Sequence, residues 1–170
     1  MNSDRLHSSV LFVCTGNICR SPTAQGVFVG MVMDAGLADR ITVDSAGTHG
    51  YHVGEPPDAR ATAAARVRGY DLSGLRARKF ERSDFTRFDL VLAMDDGNRA
   101  FLARQCQPSN GHKLRMMMEF ATRHRAIEVP DPYYGGPDGF EQVLDMLEDA
   151  ARGLLESITA SSSRSPQSLG

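Results

Sequence analysis

Tryptophan is absent from this chain, cysteine occurs three times in 170 residues, and no apolar run approaches the roughly 20 residues that span a bilayer. No membrane insertion is therefore expected. Met1 to Ser9 is polar, with no hydrophobic export segment behind it, so the cytoplasm is the expected compartment. A small, odd number of cysteines argues against a disulfide framework and for reduced thiols. Excess charge is missing too: 19 Lys and Arg against 21 Asp and Glu leave a net charge of −2, which gives no reason to expect nucleic acid as a partner. His7, His49, His52, His112 and His124 show no ligand spacing, and Cys14 and Cys19 have no matching downstream pair, so no metal or cofactor is expected and the histidines read as surface residues. With 41% hydrophobic residues, no repeat and no linker, the chain reads as one domain over 8–158, with flexible tails at 1–7 and 159–170.

What is present is concentrated near the start. Val10 to Val13 is a short apolar run suited to an interior parallel strand, and Pro22 suits the first turn of a helix, where a missing N–H costs nothing. Between them lies a loop, Cys14 to Ser21. Its successive N–H groups, with Gly16 allowing unusual backbone angles, can converge on one tetrahedral oxyanion, aided by the positive end of the helix. Cys14 and Arg20 stand at Cys-x5-Arg spacing: a nucleophile beside a planar fork that holds two oxygens of a phosphoryl group. A thiol so placed is set up to react as thiolate, and Ser21 can donate a hydrogen bond to it. Phosphoryl transfer through a cysteinyl-phosphate fits these groups. A Walker loop does not, because no lysine follows the glycine.

The remaining chain alternates helices and strands. Helical spacing runs from Pro22 to Ala35 with Gly36 as C-cap, strand residues follow from Ile41 to Ser45, and 46–58 is a long loop expected to wall the pocket. A helix is expected from Asp58 to Arg68, a turn capped by Ser83, a strand from Phe88 to Met94, a helix capped by Asp95, and a weaker strand from Lys113 to Met117. Met116, Met117 and Met118 read as core filler. Phe140 to Ile158 carries the clearest apolar stripe. This alternation implies an α/β fold, a doubly wound parallel sheet with helices on both faces and the ligand at the carboxyl ends of the strands. Protonating a phenolate leaving group requires a carboxylic acid. Asp44, Asp95, Asp96 and Asp131 all lie near strand ends, and topology alone does not choose among them.

Cys14-Thr15-Gly16-Asn17-Ile18-Cys19-Arg20-Ser21-Pro22 resembles the signature loop of the low-molecular-weight protein tyrosine phosphatases. The similarity continues, in the family's order, through Asp44-Ser45-Ala46-Gly47-Thr48, Arg76-Ala77-Arg78, Met94-Asp95 with Asn98, and Asp131-Pro132-Tyr133-Tyr134-Gly135. The resemblance implies a four-stranded sheet of order 2-1-3-4, phosphate binding by Thr15, Gly16, Asn17, Ile18, Cys19 and Ser21 around Cys14 and Arg20, and Asp131 as general acid and base. It further implies that Asn17 supports the loop with Ser45 as its partner, and that Tyr133 and Tyr134 form an aromatic wall opposite Tyr51. A phosphotyrosine protein is the implied partner, with a bacterial tyrosine kinase among the candidates and a monomeric or weakly self-associating enzyme. Many relatives carry a histidine before Arg-Ala-Arg where this chain has Leu75, so rewired support around Asn17 is expected. Rival activities are a protein arginine phosphatase, disfavoured by the bulk of Ile18; an arsenate reductase, which lacks a relay cysteine because only Cys106 remains downstream; and a non-catalytic phosphate-binding module.

Overall fold

The computed structural model describes residues 7–164. Its centre is β1 (Ser8–Cys14), which pairs in parallel with β2 (Ile41–Gly47) on one side and β3 (Leu90–Ala93) on the other; β3 in turn pairs with β4 (Leu114–Met116). The order is β2-β1-β3-β4, as the family resemblance implies. Parallel neighbours require crossovers: α1 (Arg20–Asp34) joins β1 to β2, α2 (Ala59–Val67) and α3 (Asp84–Arg87) lie between β2 and β3, α4 (Asp96–Gln105) lies between β3 and β4, and α5 (Pro137–Arg164) follows β4.

Strand alternation sorts β1 between two cores. Val10, Phe12 and Cys14 face a cluster built with Val27 and Phe28 of α1 and Leu144 and Leu147 of α5, whereas Leu11 and Val13 face Phe85 and Leu102. The Phe12 and Phe28 rings meet edge to face at 5.7 Å. Val10 to Val13 are fully buried, which contributes roughly 1.5–3 kcal/mol for each side chain removed from water. The strand carrying Cys14 is thus fixed from both faces and both edges.

Helix ends follow local chemistry. At the end of α1, Gly36 adopts φ +72° and the Leu37 N–H bonds Val32 O at 2.9 Å, satisfying carbonyls the helix would leave open. Asp58 caps α2 and Asp95 caps α4 through their carboxylates. Ser83 precedes α3 without a side-chain capping bond. Met117 and Met118 are buried in a 3-10 turn, Met117–Phe120.

Several boundaries differ from expectation. α1 starts at Arg20 rather than Pro22, so the arginine itself lies in the first turn. β2 continues through Ala46 and Gly47, because both still pair with β1. The expected flexible tail from Thr159 is corrected in part: α5 continues to Arg164, with no Gly or Pro before Pro166 to stop it and the Thr159 hydroxyl bonded to Leu155 O at 3.0 Å. The rest of that tail, and 1–6, lie outside the described residues.

Asp149, almost fully buried on α5, clamps the segment that leads toward Asp131. Its carboxylate accepts bonds from the N–H groups of Thr122, Arg123 and His124 at 3.0, 3.0 and 2.8 Å. Burial opposes its charge, but these N–H groups and the His124 ring outweigh it and hold the carboxyl well below the usual range. Such a group stabilises the fold above its unfolded value near ~3.9, and the contribution is lost as pH falls. Asp149→Asn, which leaves one acceptor for three N–H donors, is expected to lose about 2–3 kcal/mol in urea unfolding at pH 7. Its stability should also fall less steeply than wild type below pH ~4; equal acid limbs would refute the clamp.

Candidate active site

β1 ends at Cys14 and α1 begins at Arg20, so the intervening residues must turn the chain tightly above the sheet. The turn is made at Asn17, the one non-glycine residue with positive φ (+59°) among the described residues. Its buried side chain pins that conformation. Oδ1 accepts the Arg78 N–H at 2.9 Å, while Nδ2 donates to Ser21 Oγ at 2.8 Å and Ser45 Oγ at 2.9 Å. Gly47 lies hard against the loop: a Cβ there would sit 2.8 Å from Thr15 O. Bonds from the Thr48 and His49 N–H groups to Cys14 O and Thr15 O, at 2.9 and 3.0 Å, tie the loop to the end of β2.

These bonds limit where two hydroxyl protons can go. Asn17 occupies lone pairs on both serine oxygens, so each hydroxyl proton points elsewhere. That of Ser45 goes to Gln25 Oε1 at 2.6 Å. Ser21 Oγ lies 2.9 Å from Cys14 Sγ, where either atom can donate, and 3.4 Å from the acceptor Ala46 O, so its hydroxyl is within reach of the sulfur whenever that sulfur is a thiolate. Cys14 is only 2% exposed. Cys19 has a different environment, in which burial first, then Asp58 and Cys14, pushes its thiol up to about 12. It is a neutral neighbour at neutral pH.

Arg20 is buried and heavily braced. Nη1 donates to Asp95 Oδ2 at 2.6 Å and to Val129 O at 3.1 Å; Nη2 donates to Thr15 Oγ1 at 3.3 Å, which also receives Asn98 Nδ2 at 3.1 Å. Burial opposes the guanidinium charge, but Cys14 and the bond to Asp95 outweigh it and raise its ionisation above the ordinary value. Asp95 therefore does more than cap α4: one oxygen caps, the other orients Arg20.

Above the loop opens a pocket of about 300 Å3, with Cys14, Ile18 and Arg20 among its lining residues. Asp131, Tyr133 and Tyr134 also line it, as do His49, Tyr51 and His52. Tyr51 and Tyr134 are 82% and 90% exposed, so both are at the mouth, and His49 stacks on Tyr51 at 5.2 Å. Of the four candidate acids only Asp131 lines this pocket; Asp44 is paired with Arg78 at 3.0 Å and Asp96 lies on α4. Asp131 Oδ1 accepts the Tyr133 N–H at 3.0 Å, and Oδ2 is 3.7 Å from Arg20 Nη2. His49 and His52 stand in the 46–58 loop expected to wall the pocket and line its mouth, His49 exposed at the surface; a Cβ on Gly16 would meet the His52 ring at 3.1 Å.

Four supporting residues escape sequence reasoning: Gln25, Arg78 through its backbone N–H, Asn98, and Asp95 in its second role. The Arg76-Ala77-Arg78 stretch and Met94-Asp95 with Asn98 mark three of them without giving their partners. Gln25 carries no local signal, being one of several polar residues on α1 beside Arg20, Ser21 and Thr23. Leu75 is half-buried against the core, and the bond network around Asn17 and Ser45 ends on Gln25.

Residues 9–164 match the family model described as low molecular weight phosphotyrosine protein phosphatase. A low molecular weight protein-tyrosine-phosphatase of Streptomyces coelicolor is 47% identical over 152 residues, covering 88% of this chain and 92% of that one. The corresponding Schizosaccharomyces pombe enzyme is 43% identical over 150 residues, covering 88% and 96%. The crystal structure of a protein tyrosine phosphatase from Entamoeba histolytica, solved with Hepes in the active site, superposes with a TM-score of 0.88 at 40% identity, covering 91% of this chain and 98% of that one.

Asn17→Ala removes three hydrogen bonds and leaves a residue that disfavours positive φ. It is expected to lose about 2–4 kcal/mol of stability in chemical denaturation and to weaken inorganic phosphate binding. Retention of both properties would show that the loop holds its shape without this side chain.

Proposed function

The chain belongs to the low molecular weight phosphotyrosine protein phosphatase family and is a protein-tyrosine-phosphatase, and we propose that it cleaves phosphotyrosine in two displacements at phosphorus. In the first, the phosphate dianion sits in the loop amides and the Arg20 fork, and Cys14 Sγ attacks phosphorus as the bond to the phenolic oxygen breaks. Asp131 gives that oxygen its proton. Oδ1 of Asp131 is already an acceptor for the Tyr133 N–H, so the transferable proton belongs on Oδ2, the oxygen nearer Arg20. In the second displacement water attacks the cysteinyl-phosphate, Asp131 takes the water's proton, the P–S bond breaks and inorganic phosphate leaves. The Ser21 hydroxyl steadies the thiolate that departs.

The observation that carries the reading is the depth of the nucleophile. Cys14, 2% exposed, lies below a mouth lined by Tyr51, Tyr133 and Tyr134. A phosphate on a tyrosyl ring has the length to reach that sulfur and a flat face to stack on the walls; a phosphoseryl group is short and has no ring. Ile18 lines the same space and favours an apolar ring over a guanidinium. The sulfonate of Hepes in the Entamoeba enzyme's active site is a tetrahedral oxyanion of the kind this cradle would hold. The partner is a phosphotyrosine protein, for which a bacterial tyrosine kinase is our candidate. No described helix is long and apolar enough to cross a membrane, and the three cysteines are free, in keeping with a reducing cytoplasm as the proposed location.

Phosphate release from matched phosphotyrosine, phosphoserine and phosphoarginine peptides tests this directly. Phosphotyrosine should be preferred without added metal, Cys14→Ser should bind the peptide without turning it over, and Asp131→Ala should lower turnover by about 10²–10⁴-fold. Turnover by Cys14→Ser would refute the covalent route, and a phosphoarginine preference would refute the reading of Ile18.

A further inference from the structure

The segment carrying Asp131 is held at its root and nearly free beyond it. Val129 is anchored at both ends, its N–H to Met94 O at 2.8 Å and its carbonyl to Arg20 at 3.1 Å. Over 131–135, among the described residues, one hydrogen bond reaches another element: Arg60 Nη2 to Tyr133 O at 3.1 Å. The Tyr133 N–H is in turn the donor to Asp131 Oδ1. Arg60 therefore grips the same residue whose amide aims the acid.

Arg60 is itself aimed. Its Nε and Nη2 form a fork on Asp58 at 3.1 and 2.9 Å, and its guanidinium carbon lies 4.8 Å from the Phe140 ring centre and 5.4 Å from that of Tyr133. Asp58 caps α2, and its N–H bonds Ile18 O, inside the phosphate loop, at 2.8 Å. A continuous path thus runs from the phosphate loop through Asp58, Arg60 and Tyr133 to the Asp131 carboxylate. We propose that Arg60 is a positioning residue that sets the distance between the general acid and the phosphate loop. The proposal rests on Asp131 being that acid.

The two ideas separate in kinetics. A general acid matters most for poor leaving groups, so kcat/KM for a series of aryl phosphates, from nitrophenyl to unsubstituted phenyl, reads proton donation apart from folding or binding. Asp131→Asn should make kcat/KM fall more steeply with leaving-group basicity. Arg60→Ala should steepen it in the same sense, lowering phenyl phosphate by about 10–100-fold and nitrophenyl phosphate by much less. In the Asp131→Asn background Arg60→Ala should add no further slope. Arg60→Gln, which keeps an N–H donor for Tyr133 O, should fall between and guards against an unstable alanine variant; thermal unfolding reports that directly. A uniform loss across the series, or an unchanged slope, in both Arg60 variants overturns the positioning role. An unchanged slope in Asp131→Asn instead overturns the acid assignment on which it rests.

Discussion

One side chain amide holds the phosphate loop in shape. Asn17 sits in a left-handed conformation that a side chain normally avoids, and it is kept there because both ends of its amide are used, by Arg78 on one side and by Ser21 and Ser45 on the other. The same bonds hold Ser21 Oγ 2.9 Å from Cys14 Sγ. Backbone shape and nucleophile environment are thus set by one residue, and both are ready before any ligand arrives. Such preorganisation leaves little rearrangement to oppose charge stabilisation during reaction.

Arg20 extends that order outward. It is in the first turn of α1, and it bonds Asp95 at the start of α4, Thr15 within the loop and Val129 at the root of the acid segment. Two crossovers of the sheet and the segment that follows β4 therefore meet at one guanidinium. A lysine could supply the charge but not the fork of donors that joins these groups. Among the described residues the Asn98 Oδ1 atom is the buried side-chain oxygen or nitrogen without a partner, and its amide nitrogen holds Thr15 in the same cluster.

The parts legible in the sequence were those where local signals agree. Val10 to Val13, the loop glycine, Cys14, Arg20 and Pro22 all specify one strand, one turn and one helix, and the structure places them so. The sheet order came from the family likeness, since periodicity does not say which strand neighbours which. The end of α5 is not legible in this way, because polarity does not by itself mark disorder: serines and alanines continue a helix already nucleated by its apolar stripe. The role of Gln25, the partner of Asn98 and the second role of Asp95 are hidden for a different reason: they lie in partners 20, 83 and 75 residues away. His49 and His52 lie in the 46–58 loop, whose length marks it as a pocket wall without showing which of its side chains face the mouth.

The packing of α1 also separates the places where the site can be damaged from the places where substrate is met. The helix that follows the phosphate loop rests on α5 through Val27, Phe28, Leu144 and Leu147 in one cluster, and Cys14 belongs to that cluster. Among the described residues no α5 side chain lines the pocket, yet the wall against which α1 is seated is made of them. A cavity opened at Leu144 or Leu147 therefore reaches the nucleophile strand from behind, through the core and not through the mouth.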